Sequence, residues 1–281
     1  MKITYEISDI VPYINWVYFY YAWGVHSRPD VEKEKLRQEA LEALRQQEGR
    51  YHTYALFGLF DAYSDGDDIM ISGGRWKEEG GRRLPLLRQQ QPGSDFLCLS
   101  DFIRPQNISP STKDLPPSTN RMGIFATSVD HGLESDFDED PYQKMLMQLL
   151  ADRLAEATAE RMHEEVRKKY WGYAADEQLS IAEMLVEKFQ GIRPAVGYPS
   201  LPDTSLNFVI NDILDMQQIG IRLTESGAMK PHASVSGLMM AHPKARYFSL
   251  GKIGEDQLID YARRRGLPVE MLRKFLAANL H

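Results

Sequence analysis

Between Gly191 and Pro199 the chain reads Gly-Ile-Arg-Pro-Ala-Val-Gly-Tyr-Pro, with a guanidinium and a phenol ring each placed directly before a proline. Arginine presents a planar fork that takes a carboxylate through two parallel hydrogen bonds. Tyrosine adds a flat π face and a hydroxyl. Pro194 and Pro199 fix their own φ and remove a backbone donor, and each pushes the preceding residue, Arg193 or Tyr198, towards extended backbone. Gly197 can take a positive φ at little steric cost. A segment so punctuated cannot be a helix and makes a poor central strand. A rigid loop that holds Arg193 and Tyr198 in fixed directions is expected. An ordinary surface turn with an exposed arginine fits the same local sequence.

Other chemistries are excluded. One cysteine, Cys98, permits neither an intrachain disulfide nor a cysteine-rich metal site. It lies in Phe96-Leu97-Cys98-Leu99, where a buried, inert thiol is expected. His163-Glu164 lacks the second histidine of a zinc protease motif and reads as exposed helix surface. Asp65-Gly66-Asp67-Asp68 lacks the spacing and closing glutamate of a calcium loop, so it reads as a hairpin turn. A formal net charge of −7 argues against a nucleic-acid partner. No apolar run reaches the ~18 residues of a membrane span. The first residues have no signal-peptide core, and a cytoplasmic protein is expected.

The elements that must carry the loop can be read from periodicity. Residues 8–23, with Tyr13, Trp16 and Tyr20 at helical spacing, read as a helix buried on more than one face. Residues 31–50 read as a solvated helical insertion with Val31, Leu36, Ala40 and Leu44 as its apolar stripe. Residues 54–63 read as a buried strand turning at 64–68 into a return strand that begins at Ile69. The stretches 72–83 and 104–120 read as mobile surface loops. Gly123–Val129 is a further strand. The longest element, about 141–170, carries Leu146, Leu149, Leu150 and Leu154 on one face, Pro141 in its first turn and Gly172 after its end. Glu156 lies one residue past the Leu154-Ala155 pair and on periodicity alone reads equally as solvated. Ser180 with Glu183 is a capping-box pattern. Asp203, Thr204 or Ser205 caps the next helix. Residues 221–224, 234–240 and 246–250 read as strands of an antiparallel meander, followed by two short helices.

The loop resembles the RxxxGYP signature of the activation domain of cobalamin-dependent methionine synthase, the part that binds S-adenosylmethionine. Three more blocks resemble that family in order and spacing. One is Leu86-Leu87-Arg88-Gln89-Gln90 with Asp101-Phe102-Ile103. The second is Ala151-Asp152-Arg153-Leu154-Ala155-Glu156, running on to Val166–Tyr173. The third is Leu223-Thr224-Glu225-Ser226, then Ala233–Gly237, His242-Pro243 and Tyr247-Phe248. The resemblance covers nearly the whole chain and is strongest from about residue 140 onward.

It implies an α+β fold, with a twisted antiparallel sheet and flanking helices in one curved domain over residues 1–281. It assigns ligand contact to the positions matching Asn15, Glu156, Arg193, Tyr247 and Phe248. Arg193 would hold the carboxylate of S-adenosylmethionine, and Tyr198, Tyr247 and Phe248 would stack on adenine or face the sulfonium. The backbone of Ala195 and Tyr198 would read the adenine edge. Asn15 departs from the family, where an aspartate stands in Tyr-Ile-Asp-Trp, and so loses a charge partner for the ammonium. The implied role is reductive reactivation: methyl transfer to cob(II)alamin after one-electron reduction by a flavodoxin-like donor. No Asp-x-His-x-x-Gly cobalt-ligand motif occurs, so cobalamin is expected on a partner chain. Readings left open are activation of a different corrinoid protein and a non-catalytic S-adenosylmethionine sensor.

Overall fold

The computed structural model describes residues 1–72, 81–106 and 116–280. Its strands are β1 (Lys2–Glu6), β2 (His52–Asp65), β3 (Asp68–Ser72), β4 (Arg82–Pro85), β5 (Arg121–Val129), β6 (Arg222–Leu223), β7 (Met229–Lys230) and β8 (Ser234–Met239). Six of them make one antiparallel sheet in the order β4-β3-β2-β5-β8, with β1 also paired to β2. The long β2 makes this possible. Its first half pairs with β1 and its last residues with β3 along one edge, while β5 follows the other edge from Thr53↔Val129 to Asp61↔Arg121. Gly66, at φ 60°, and Asp67 form the two-residue turn between β2 and β3, a geometry that favours glycine.

The helices are α1 (Ile7–Ile10), α2 (Trp16–Trp23), α3 (Asp30–Arg45), α4 (Gly132–Ser135), α5 (Pro141–Glu165), α6 (Ile181–Met184), α7 (Leu206–Leu214), α8 (Glu255–Arg265) and α9 (Val269–Phe275). Helix α5 starts where the sequence puts it: Pro141 sits in the first turn, and Asp140 accepts from the Tyr142 and Gln143 amides at 2.9 and 3.3 Å. It runs into a π-helical turn, Val166–Tyr170, and Gly172 takes φ 75° just beyond. One face of the sheet packs on α5, with Leu150, Leu154 and Met162 against Phe57, Phe125 and Val235. The Thr127 hydroxyl pins the two together by donating to the Ala155 carbonyl at 3.0 Å. The other face packs on α7, with Ile210 and Leu214 against Leu56, Ile124 and Leu238. With core on both faces, β5 is buried along almost its whole length. The implied α+β fold, an antiparallel sheet with flanking helices, is the one found.

Several expectations are corrected. The aromatic stretch is not one helix: α1 and a 3₁₀ turn over Pro12 end at Tyr13, and α2 restarts after Asn15. Residues 246–250 are no strand and β6 pairs only with β7, so there is no meander. The amides of Phe248 and Leu250 donate to the Pro199-Ser200 turn instead of to a ladder. His163 is completely buried rather than exposed, because α5 is wrapped on its far side by the segment that brings Phe189 edge-on to the imidazole. Val31 is exposed, and only Leu36, Ala40 and Leu44 of its stripe reach the core. The stretches read as mobile loops are partly built into the sheet: Ser72 ends β3, Arg82 and Arg83 belong to β4, and the Arg104 carbonyl accepts from the Ser64 amide of β2 at 3.0 Å. Their central parts, 73–80 and 107–115, lie outside the described residues. Cys98 is buried as expected, and burial pushes its thiol up to about 12.

Candidate functional site

The proline-punctuated loop is neither free nor a strand of the sheet. It runs antiparallel along the outer edge of β8 as a partial extra strand. Ile192 and Met240 exchange both backbone bonds, at 2.9 and 3.0 Å. The Leu238 amide donates to the Pro194 carbonyl at 3.0 Å, and the Val196 amide to the Ser236 carbonyl at 2.9 Å. The bond that Pro194 cannot return is the only one its ring removes from this seam, which is why a proline is tolerated at an edge. Gly237 faces the seam: a Cβ there would lie 2.2 Å from the Pro194 carbonyl oxygen and 2.9 Å from the Ala195 Cα. Gly191, at φ 86°, enters the seam, and Gly197, at φ 88°, turns the chain out of it.

The turn that follows holds the second aromatic loop. The Pro199 carbonyl accepts from the Leu250 amide at 2.8 Å, and the Ser200 hydroxyl takes the Phe248 amide at 3.1 Å and donates to its carbonyl. The Tyr247 hydroxyl accepts from the Arg193 amide at 2.9 Å. Residues far apart in sequence are thereby locked side by side.

These loops, α5 and the Asn15 break enclose a cavity of about 570 Å3, a size that suits a small molecule. All seven residues singled out in the sequence, Asn15, Glu156, Arg193, Ala195, Tyr198, Tyr247 and Phe248, line it. Arg193 is buried, its guanidinium 5.9 Å from the Phe125 ring centre. Its Nη2 bonds Glu160, and its buried Nε has no partner. Burial works against this charge, but Glu160, Tyr247 and Glu156 together outweigh it and hold the guanidinium firmly protonated. The Tyr198 hydroxyl donates to Glu156. Burial, then the Glu156 charge, pushes that phenol well above its ordinary value, so it stays a donor. The Asn15 side-chain oxygen accepts from the Val17 amide at 3.2 Å, so this residue caps α2 while lining the cavity. The Tyr198 amide donates to the Ala195 carbonyl and the Leu201 amide to the Tyr198 carbonyl, each oxygen keeping a second lone pair.

Sequence reasoning missed Arg153, Glu160 and Glu187, which also line the cavity. Arg153, Glu156 and Glu160 recur at i, i+3 and i+7 on one face of α5, a charged stripe that could have been read beforehand. Glu187 gives no such signal, since it sits at φ 61° in an irregular turn. Burial and the nearby Glu160 charge raise its carboxyl above the usual range. The walls thus offer three carboxylates against two guanidiniums, with aromatic rings between.

This sheet, with α5 across one face and a cavity between α5 and two interlocked loops, is the architecture of a reactivation domain. A crystal structure of the MetH reactivation domain bound to AdoHcy superimposes with a TM-score of 0.88 and 34% sequence identity, covering 100% of this chain and 90% of that one. Residues 6–266 match the model of the vitamin B12 dependent methionine synthase activation domain, and the chain belongs to that family.

Proposed function

We propose that the cavity binds S-adenosylmethionine and presents its methyl group for the reductive reactivation of a cobalamin-dependent methionine synthase. The observation that carries this reading is the buried Arg193, with an uncommitted Nε, set among carboxylates and aromatic rings in one cavity. The ligand's carboxylate suits the guanidinium fork. Its net positive charge suits a wall with more carboxylates than guanidiniums. The sulfonium and adenine suit Tyr198, Tyr247 and Phe248, since a cation over a ring gains ~0.5–2 kcal/mol. The adenine amino group suits the spare lone pairs of the Ala195 and Tyr198 carbonyls. The related MetH reactivation domain bound to AdoHcy supports the same ligand class.

No side chain need act as acid or base, because a sulfonium is already a good leaving group. The methyl departs while sulfur keeps the electron pair of the broken bond, leaving S-adenosylhomocysteine. The protein contributes position, by holding the sulfonium at the mouth of a fixed cavity. A corrinoid on a partner chain would supply the accepting cobalt, which would bring the electron pair of the new bond after receiving one electron from a flavodoxin-like donor. Calorimetry with S-adenosylmethionine and with cobalamin separately tests the reading, and tight binding of cobalamin by this chain alone would sink it. Mixing with a corrinoid protein under reducing conditions then separates activator from sensor: methyl transfer supports the first, binding without transfer the second.

A further inference from the structure

We propose that Glu160 is the receptor for the ligand's α-ammonium and, with Arg193, forms a two-point clamp for the amino-acid end. The inference rests on the S-adenosylmethionine reading above and identifies a specificity-determining residue within it. An α-amino acid carries its carboxylate and its ammonium on one carbon, so the two receptors must be immediate neighbours. Among the described residues lining the cavity, the Arg193–Glu160 pair is the only guanidinium and carboxylate in direct contact with each other.

The other carboxylates of the wall are less suited. Glu156 is engaged by the Tyr198 hydroxyl, toward the outer part of the loop. Glu187 makes no ion pair with Arg193, so it does not sit beside the receptor for the carboxylate. Glu160 bonds Arg193 through one oxygen, and Arg193 bonds it through Nη2 alone, leaving the buried Nε unpaired. Each partner therefore keeps capacity for a group of the opposite sign. A zwitterion inserted beside this pair would complete a four-charge ring, carboxylate on guanidinium and ammonium on Glu160, without exposing either protein charge unpaired.

The test compares S-adenosylmethionine with its analogue lacking the α-amino group, by calorimetry on wild type, Glu160→Gln and Glu156→Gln. Glu160→Gln keeps shape and a hydrogen-bond acceptor but removes the charge. It should weaken S-adenosylmethionine by roughly 10- to 100-fold while leaving the deaminated analogue within about threefold, so that the wild-type preference collapses. Glu156→Gln should preserve the preference. Thermal melts identify any misfolded variant, and Glu160→Asp, which retains the charge, should then retain the preference. Equal weakening of both compounds by Glu160→Gln would mean that Glu160 acts only by orienting Arg193, and would overturn the inference. So would no change in either. A wild-type chain that binds neither compound fails the ligand assignment itself, a different result from lost discrimination.

Discussion

Gly237→Ala probes the contact on which the site depends. The new Cβ would meet backbone on the loop side, the Pro194 oxygen at 2.2 Å and the Ala195 Cα at 2.9 Å, with the Phe125 ring at 2.8 Å behind it. Backbone on the loop side cannot yield by a rotamer change, and the ring behind is fully buried, so the loop must lift from β8. Overpacking of this kind costs about 1–3 kcal/mol. Lifting the loop also lengthens the Leu238–Pro194 and Val196–Ser236 bonds, each contributing ~0.5–1.5 kcal/mol. The alanine recovers ~0.4–1 kcal/mol by restricting the unfolded chain. A net loss of roughly 1–6 kcal/mol is expected from urea unfolding. Affinity for S-adenosylmethionine should fall with it, because Arg193, Ala195 and Tyr198 ride on the displaced segment. Gly58→Ala is the control: its Cβ would meet the ring tip of Phe60 at 2.5 Å, and that ring can swing aside. It should lose less stability and keep wild-type affinity. If Gly237→Ala retains wild-type stability, or is destabilised yet binds normally, the seam does not position the site.

Arg193→Lys should be nearly as harmful to S-adenosylmethionine binding as Arg193→Ala, each costing ~2–5 kcal/mol, because lysine loses the fork. Wild type should discriminate against a decarboxylated analogue and Arg193→Ala should not; equal discrimination would place the carboxylate elsewhere. Asn15→Asp should tighten binding by adding a charge partner for the ammonium, without loss of stability, since aspartate caps helices as well as asparagine; unchanged affinity would show that residue 15 does not face the ligand. Burial, then the charges of Arg167 and Arg193, holds the His163 imidazole well below its usual value. Its folded form stays neutral while the unfolded form gains a proton below pH ~6.5, so stability is intact above that pH and falls beneath it, by up to ~1.4 kcal/mol per pH unit. His163→Gln should flatten that slope in urea titrations between pH ~6.5 and 5; an unaltered slope would refute the assignment. Arg167, fully buried against Glu177, should cost ~3–5 kcal/mol when changed to methionine, read by thermal unfolding.

The sequence by itself determined the local pieces. Pro141 and Asp140 set the start of α5, Ser180 and Glu183 closed their capping box, and Gly197 took the positive φ that its turn requires. These features depend on neighbours within a few residues, so pattern suffices to read them. The four motif blocks likewise carried the family and, through it, five residues that line one cavity, to which the chemistry of the loop added Ala195 and Tyr198. What tertiary structure decided was pairing across distance. Nothing in the sequence says that the Arg193 loop annexes the edge of β8, or that Ser200 ties down Phe248 so that 246–250 cannot become a strand. Periodicity placed Asn15 inside a helix, but its side chain gained more by capping α2 after the Pro12 turn. His163 looked exposed because one helix face was assumed wet; α5 is covered on several sides, a property of its surroundings and not of its own residues. Glu160 shows the same division. Its place on the Glu156 face is legible from helical spacing, whereas its partner, Arg193, comes from 33 residues further along and only the fold brings the two charges together.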